Sequence, residues 1–167
     1  KVGQVDRAIE AYKASITRHN DNTLAYTNLG TIYHKQGLYD MAIEAYKQAL
    51  TNNPYFPLSH NNLGNTYERI GDSEKALAEY REALKIDDTY ADAHNNLGAV
   101  YLKKGIQDKA LVEFQKAAQL NPDHRDAHYN LGIAYAGKGL YVEAIHELNL
   151  AIKYNPTDYS AYRDLGI

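Results

Sequence analysis

Imidazoles and amides placed side by side can do chemistry, and this chain writes such a group twice. The stretch His60-Asn61-Asn62-Leu63-Gly64 recurs letter for letter as His94-Asn95-Asn96-Leu97-Gly98. A histidine can ligate a metal or move a proton, and an asparagine can polarise a carbonyl. A third histidine, His128, follows at the same interval and sits four positions after His124. Further on, residues 132–139 read GIAYAGKG, one letter short of a phosphate-binding loop. The missing letter is the Ser or Thr hydroxyl that would hold magnesium, and no strand leads into the segment. Carboxylates are plentiful but spread as on any solvated helical surface. No nucleophile stands out, so no catalytic residue and no cofactor are expected.

The intervals favour a structural origin for these groups. Leu-Gly pairs recur at one fixed spacing, as Leu29-Gly30, Leu63-Gly64, Leu97-Gly98, Leu131-Gly132 and Leu165-Gly166. A tyrosine follows at Tyr33, Tyr67, Tyr101 and Tyr135. A second glycine recurs at Gly3, Gly37, Gly71, Gly105 and Gly139, and an alanine at Ala8, Ala42, Ala76, Ala110 and Ala144. Tyr12, Tyr46, Tyr80, Phe114 and Leu148 share one position, and Pro54, Pro122 and Pro156 another, with Asp88 in the proline's place once. Self-similarity at a constant period of this length marks a repeat architecture.

Each period reads as two helices. Tyr26, Leu29, Gly30 and Tyr33 follow the i, i+3, i+4, i+7 rule for one helical face. Ala42, Ile43, Tyr46, Ala49 and Leu50 form the stripe of the second. The glycine between them suits a left-handed cap. An acid three positions later (Asp6, Asp40, Glu74, Asp108) suits the next helix N-terminus. Gly30 and Ala42 lie inside the stripes, where small residues let helices approach. A pair this short buries its apolar faces only by stacking on neighbours, so the fold class is all-α, an α-solenoid. His60, His94 and His128 stand where other copies have Tyr26 and Tyr162, and are expected to fill the packed stripe. Stacked helices lie about 8–10 Å apart, whereas zinc needs ligands within about 2.1 Å. These three therefore cannot share an ion, and no metal site is expected.

These residues make the chain similar to the tetratricopeptide repeat (TPR) family along its whole length. The resemblance implies antiparallel helix pairs winding into a right-handed superhelix. The expected array has the second half of a repeat at 1–22, and full repeats at 23–56, 57–90, 91–124 and 125–158. The first half of a further repeat follows at 159–167. The chain reads as a piece of a longer array.

Composition limits the partners. Of the residues, 44% are hydrophobic and 23% charged, with 18 Lys and Arg against 21 Asp and Glu. The formal net charge of −3 offers no general attraction for nucleic acid or anionic lipid. Of the 16 tyrosines, Tyr12, Tyr33, Tyr46, Tyr67, Tyr80, Tyr101 and Tyr135 lie at repeat core positions, which argues against RNA stacking. No run approaches the roughly 20 apolar residues of a membrane span. There is no cysteine; that leaves the compartment open, with the cytoplasm favoured.

Opposite the packed stripe of the first helices, asparagine recurs at Asn28, Asn62, Asn96 and Asn130. A cation recurs at Lys35, Arg69 and Lys103 and stops at Gly137. The TPR resemblance implies that this face lines a concave groove. It is also similar to the asparagine ladder in the TPR superhelix of O-linked N-acetylglucosamine transferases. An amide both donates and accepts, so such a row suits the backbone of an extended peptide. The expected binding residues are Asn28, Asn62, Asn96 and Asn130 with Lys35, Asn65, Arg69 and Lys103, and an apolar patch of Tyr129 and Ile133. Asn61 and Asn95 are expected to tune the groove locally. The carboxylate clamp of co-chaperone TPRs is not expected, because Asp92 and Asp126 stand where cations are needed.

Three functions follow as expectations. The first is a non-enzymatic scaffold that binds an extended peptide or helix of a partner protein. The second is head-to-tail self-association, through Val5, Ile9, Tyr12 and Ile16 at one end and Tyr162 and Leu165 at the other. The third is a non-catalytic targeting arm of a larger enzyme such as a glycosyltransferase.

Overall fold

The two alternating apolar stripes become two alternating kinds of helix. A computed structural model describes residues 2–19, 21–157 and 159–166, with the side chains of residues 2 and 3 outside the description. The described elements are α1 (Val2–Arg18), α2 (Thr23–Lys35), α3 (Tyr39–Asn52), α4 (Pro57–Arg69), α5 (Ser73–Ile86), α6 (Ala91–Lys103), α7 (Gln107–Leu120), α8 (Arg125–Gly137), α9 (Tyr141–Tyr154) and α10 (Tyr159–Leu165). Among the described residues there is no strand.

Two compact units divide the chain, Lys1–Asp88 and Thr89–Ile167. In the first, α2 pairs with α3 and α4 with α5, α1 packs on α2, and α3 packs on α4. In the second, α6 pairs with α7 and α8 with α9, α7 packs on α8, and α10 packs on α9. Each unit thus stacks consecutive helix pairs.

The same turn joins the helices of each pair. After α6, Gly105 takes φ +75, its N–H bonds the Leu102 carbonyl, and the Ile106 N–H reaches back to Tyr101 O at 2.9 Å. That is a Schellman cap, which satisfies carbonyls the helix end would strand. Gly3 departs from the pattern, since it lies within α1. Gly166 departs as well. Its copies sit inside helices, but here φ is +78 and the residue follows the end of α10.

The core is small-against-large packing. Tyr46, Tyr80 and Phe114 are almost wholly buried, at 1%, 2% and 0% exposure. Burying each such ring contributes about 1.5–3 kcal/mol. Each ring lies over a glycine of the preceding helix. A Cβ built on Gly64 would stand 2.6 Å from Tyr80 Cε1, and one on Gly98 2.7 Å from Phe114 Cε1. Two of the three glycines of the tempting GIAYAGKG segment are repeat positions. Gly132 lies under Leu148, and Gly139 is the turn residue with φ +76.

Candidate functional site

The asparagine row is half-buried throughout, with Asn28 and Asn62 in the first unit and Asn96 and Asn130 in the second. Part of its bonding runs back along the chain. Asn62 Nδ2 donates to Thr31 Oγ1 at 3.3 Å. Asn130 Nδ2 donates to Asn95 Oδ1 at 2.9 Å. Each bond ties the first helix of one pair to the first helix of the pair before. The structure therefore gives Asn95 a different place from the one expected of it. It is 7% exposed, and Asn61 is 3% exposed; neither is an open groove residue. A buried amide must be bonded, and Asn95 is bonded by serving as the acceptor for the next repeat.

Asn65 and Ile133 are governed by the residue behind them. A buried tyrosine needs a partner for its hydroxyl. Tyr46 donates to Thr31 Oγ1 at 3.2 Å and Tyr80 to Asn65 Oδ1 at 2.8 Å. In the next two copies the core residue is Phe114 or Leu148, which has no hydroxyl. The facing position then holds Ala99 or Ile133. Asn65 thus has its amide oxygen turned to the core. Tyr129 packs against the cluster of Leu148, Ala151 and Ala161, and its hydroxyl donates to Asp164 Oδ2 at 2.7 Å.

Lys35, Arg69 and Lys103 are exposed in the last turns of α2, α4 and α6. There they also complement the negative ends of the helix dipoles. Beside the first two sits His34, which the repeat pattern does not mark. Its Nδ1 lies 2.9 Å from Thr66 Oγ1. Burial pulls the His34 pKa below the ordinary histidine value, and the charges of Arg69 and Lys35 push it the same way.

The repeated histidines do fill the packed stripe, and each also hydrogen-bonds a glutamate that a single-helix reading does not bring out. His60, His94 and His128 place Nδ1 at 2.7, 2.6 and 2.6 Å from Glu79, Glu113 and Glu147 on the paired helix. His60 Nε2 meets the Pro54 carbonyl at 3.1 Å, and His128 Nε2 meets that of Pro122 at 2.8 Å. A carbonyl only accepts, so His60 Nε2 carries a proton, and its Nδ1 then needs a second proton to face a carboxylate. Burial pulls the His60 pKa down. Its hydrogen bonds to Glu79 and the Pro54 carbonyl, with the charges of Glu79 and Glu82, outweigh that and leave it raised. The sequence held a signal for this. Glutamate follows each of the three histidines at one constant separation, whereas Tyr26 is followed at that separation by Ala45. His124, the other half of the spacing that suggested a metal pair, caps α8 instead. Its Nδ1 accepts from Ala127 N–H and its Nε2 pairs with Asp92 at 2.9 Å.

Helix pairs closed by a glycine under a large core side chain and by one glycine turn, then stacked in chain order, define an α-solenoid repeat protein. The chain belongs to the tetratricopeptide repeat family. Family models described as tetratricopeptide repeat match residues 23–56 and 91–124, 45–78, and 108–165, and one described as TPR repeat matches 69–105. Among solved structures, MamA is 30% identical with a TM-score of 0.78, over 92% of this chain and 90% of that one. YrrB, described as a TPR protein with an unusual peptide-binding site, is 24% identical with a TM-score of 0.75, over 99% and 86%. A thermophilic TPR protein of Thermus thermophilus is 24% identical with a TM-score of 0.78, over 99% and 90%. No curated protein matches the sequence. The family and these neighbours support a protein-interaction scaffold. No described helix is long and apolar enough to cross a membrane.

Proposed function

We propose that this chain is a non-enzymatic scaffold that binds an extended segment of a partner protein along the first-helix face. Asn28 and Asn62 serve in the first unit, and Asn96 and Asn130 in the second. The observation that carries the reading is the half-buried asparagine at the same place in all four copies. Packing alone does not need that side chain, because the neighbouring core positions already vary from copy to copy. An amide that donates to the helix behind it keeps an oxygen acceptor suited to a peptide N–H. Lys35, Arg69 and Lys103 favour acidic segments. Partner affinity is expected to fall at least tenfold in the triple variant Asn62→Ala, Asn96→Ala, Asn130→Ala, measured by calorimetry with helicity checked by circular dichroism. Unchanged affinity with intact helicity would remove the row from the mechanism.

A second reading is stacking of one copy on another. Leu111 is 8% exposed on the helix that α8 packs against, whereas Ile145, its counterpart one repeat later, is 52% exposed. Tyr141 and Val142 nearby are 67% and 81% exposed. Contiguous apolar residues of this kind mark association surfaces. A heterologous contact here can propagate, so light scattering should show mass rising with concentration. A monomer at every concentration, down a dilution series from millimolar, removes this reading.

A further inference from the structure

The geometry points to a carboxylate-reading cluster, His34, Lys35 and Arg69, that takes an acidic side chain of the bound segment and picks up a proton at His34 Nε2 as it does so. The inference rests on the peptide-binding reading and adds the ligand's chemistry and its control by pH. It starts from one hydroxyl. Thr66 Oγ1 donates its only proton to the Asn62 carbonyl at 2.9 Å. It can therefore only accept from His34, whose Nδ1 is 2.9 Å away. This fixes the proton of the neutral ring on Nδ1 and leaves the Nε2 lone pair as the second functional atom.

The surroundings are cationic. Arg69 comes from α4 and Lys35 from α2, both exposed. Among the described residues neither has a carboxylate partner. From α3, Tyr39 presents a ring edge-on at 5.6 Å. From α1, Asp6 lines the same open hollow of about 660 Å³ as Lys35. Burial, with the charges of Arg69 and Lys35, holds the His34 pKa below the ordinary histidine value. The site thus holds two fixed positive charges and a base whose protonation they oppose.

An incoming carboxylate changes both conditions. It offsets the Arg69 and Lys35 charges that oppose protonation, and it accepts a hydrogen bond from Nε2–H. The His34 pKa must then rise in the complex, and linkage makes affinity rise as pH falls. Each unit of that rise is worth about a tenfold gain in affinity at pH values below both pKa values.

The test uses the full chain and a hexaglutamate peptide with acetylated and amidated ends. NMR follows the His34 ring with and without saturating peptide, and calorimetry gives affinity at pH 8 and pH 6. The expected result is a higher His34 pKa in the complex and several-fold tighter binding at pH 6. In His34→Gln, whose amide can still bond Thr66, the ratio of affinity at pH 6 to affinity at pH 8 is reduced. That variant also subtracts the general effect of protonating the other histidines. An unchanged His34 pKa under saturating peptide overturns the inference, as does equal affinity at both pH values or no binding at either. None of these failures touches the asparagine row, which stands or falls on the triple alanine variant and its own partner.

Discussion

Gly98→Val should be among the most damaging single substitutions in the second unit, costing about 3 kcal/mol or more in urea unfolding. The new Cβ would stand 2.7 Å from Phe114 Cε1 and 3.2 Å from the Ala110 carbonyl oxygen. The ring is fully buried and cannot swing out, and the carbonyl belongs to a helix backbone. Two further methyl groups deepen the clash. Replacing glycine within a helix usually helps by a few tenths to about 1 kcal/mol, so sterics must overcome a favourable propensity change. Gly105→Ala is the useful contrast. Nothing lies within 4 Å of its added Cβ, but φ is +75, so only the left-handed backbone penalty of about 1–2 kcal/mol applies. If the Gly98 variant proves the more stable of the two, close helix contact is not what fixes this glycine.

The second large effect concerns the histidine–glutamate pairs. His128→Tyr should cost about 2–4 kcal/mol, because it strands a largely buried Glu147 carboxylate. The two side chains are 8% and 16% exposed in the native pair. Adding Glu147→Ala should recover most of the loss, since the double variant copies the Tyr26 and Ala45 combination of the first full repeat. A double-mutant cycle measures this coupling directly; strictly additive losses would count against the pair. His60 makes the same contact, and its effect carries a pH signature. Its folded pKa is raised, so its contribution is complete below the unfolded value of about 6.5. The contribution is lost as pH rises through the folded pKa. The melting temperature of the parent should therefore fall between pH 6 and pH 9 by more than that of His60→Gln.

Periodicity made the fold legible, because every position that shapes the solenoid repeats at a fixed interval. The turn glycines, the glycine under each ring and the stripe of small residues could all be read by aligning the copies. The exceptions are Gly3 and Gly166, which keep the letter but not the conformation. Conformation depends on what precedes and follows a residue, and spacing does not record that. The site was less legible for two different reasons. Glu79, Glu113 and Glu147 lie on the second helix of each pair, across the turn from their histidines, so a helical wheel drawn for one helix never brings them together. Only substitution in pairs reveals them. His34 has no counterpart, since its place is held by Glu68, Leu102 and Ala136 in later copies. A feature found in one copy is invisible to any reading that looks for what recurs. Asn65 misled in the opposite way, since it faces outward on the wheel but turns its oxygen to a tyrosine behind it.

The paired substitutions have a consequence for how such an array can change length. The identical His-Asn-Asn-Leu-Gly stretches at 60–64 and 94–98 end just before the residue that faces the core ring. An exchange of genetic material between the two would carry Asn65, Glu79 and Tyr80 together, or Ala99, Glu113 and Phe114 together. Neither product leaves a tyrosine hydroxyl facing alanine, nor a glutamate without its histidine. One repeat can therefore be lost or gained at this seam without breaking a core pair. The motif that first suggested a reactive centre is better suited to be a splice point.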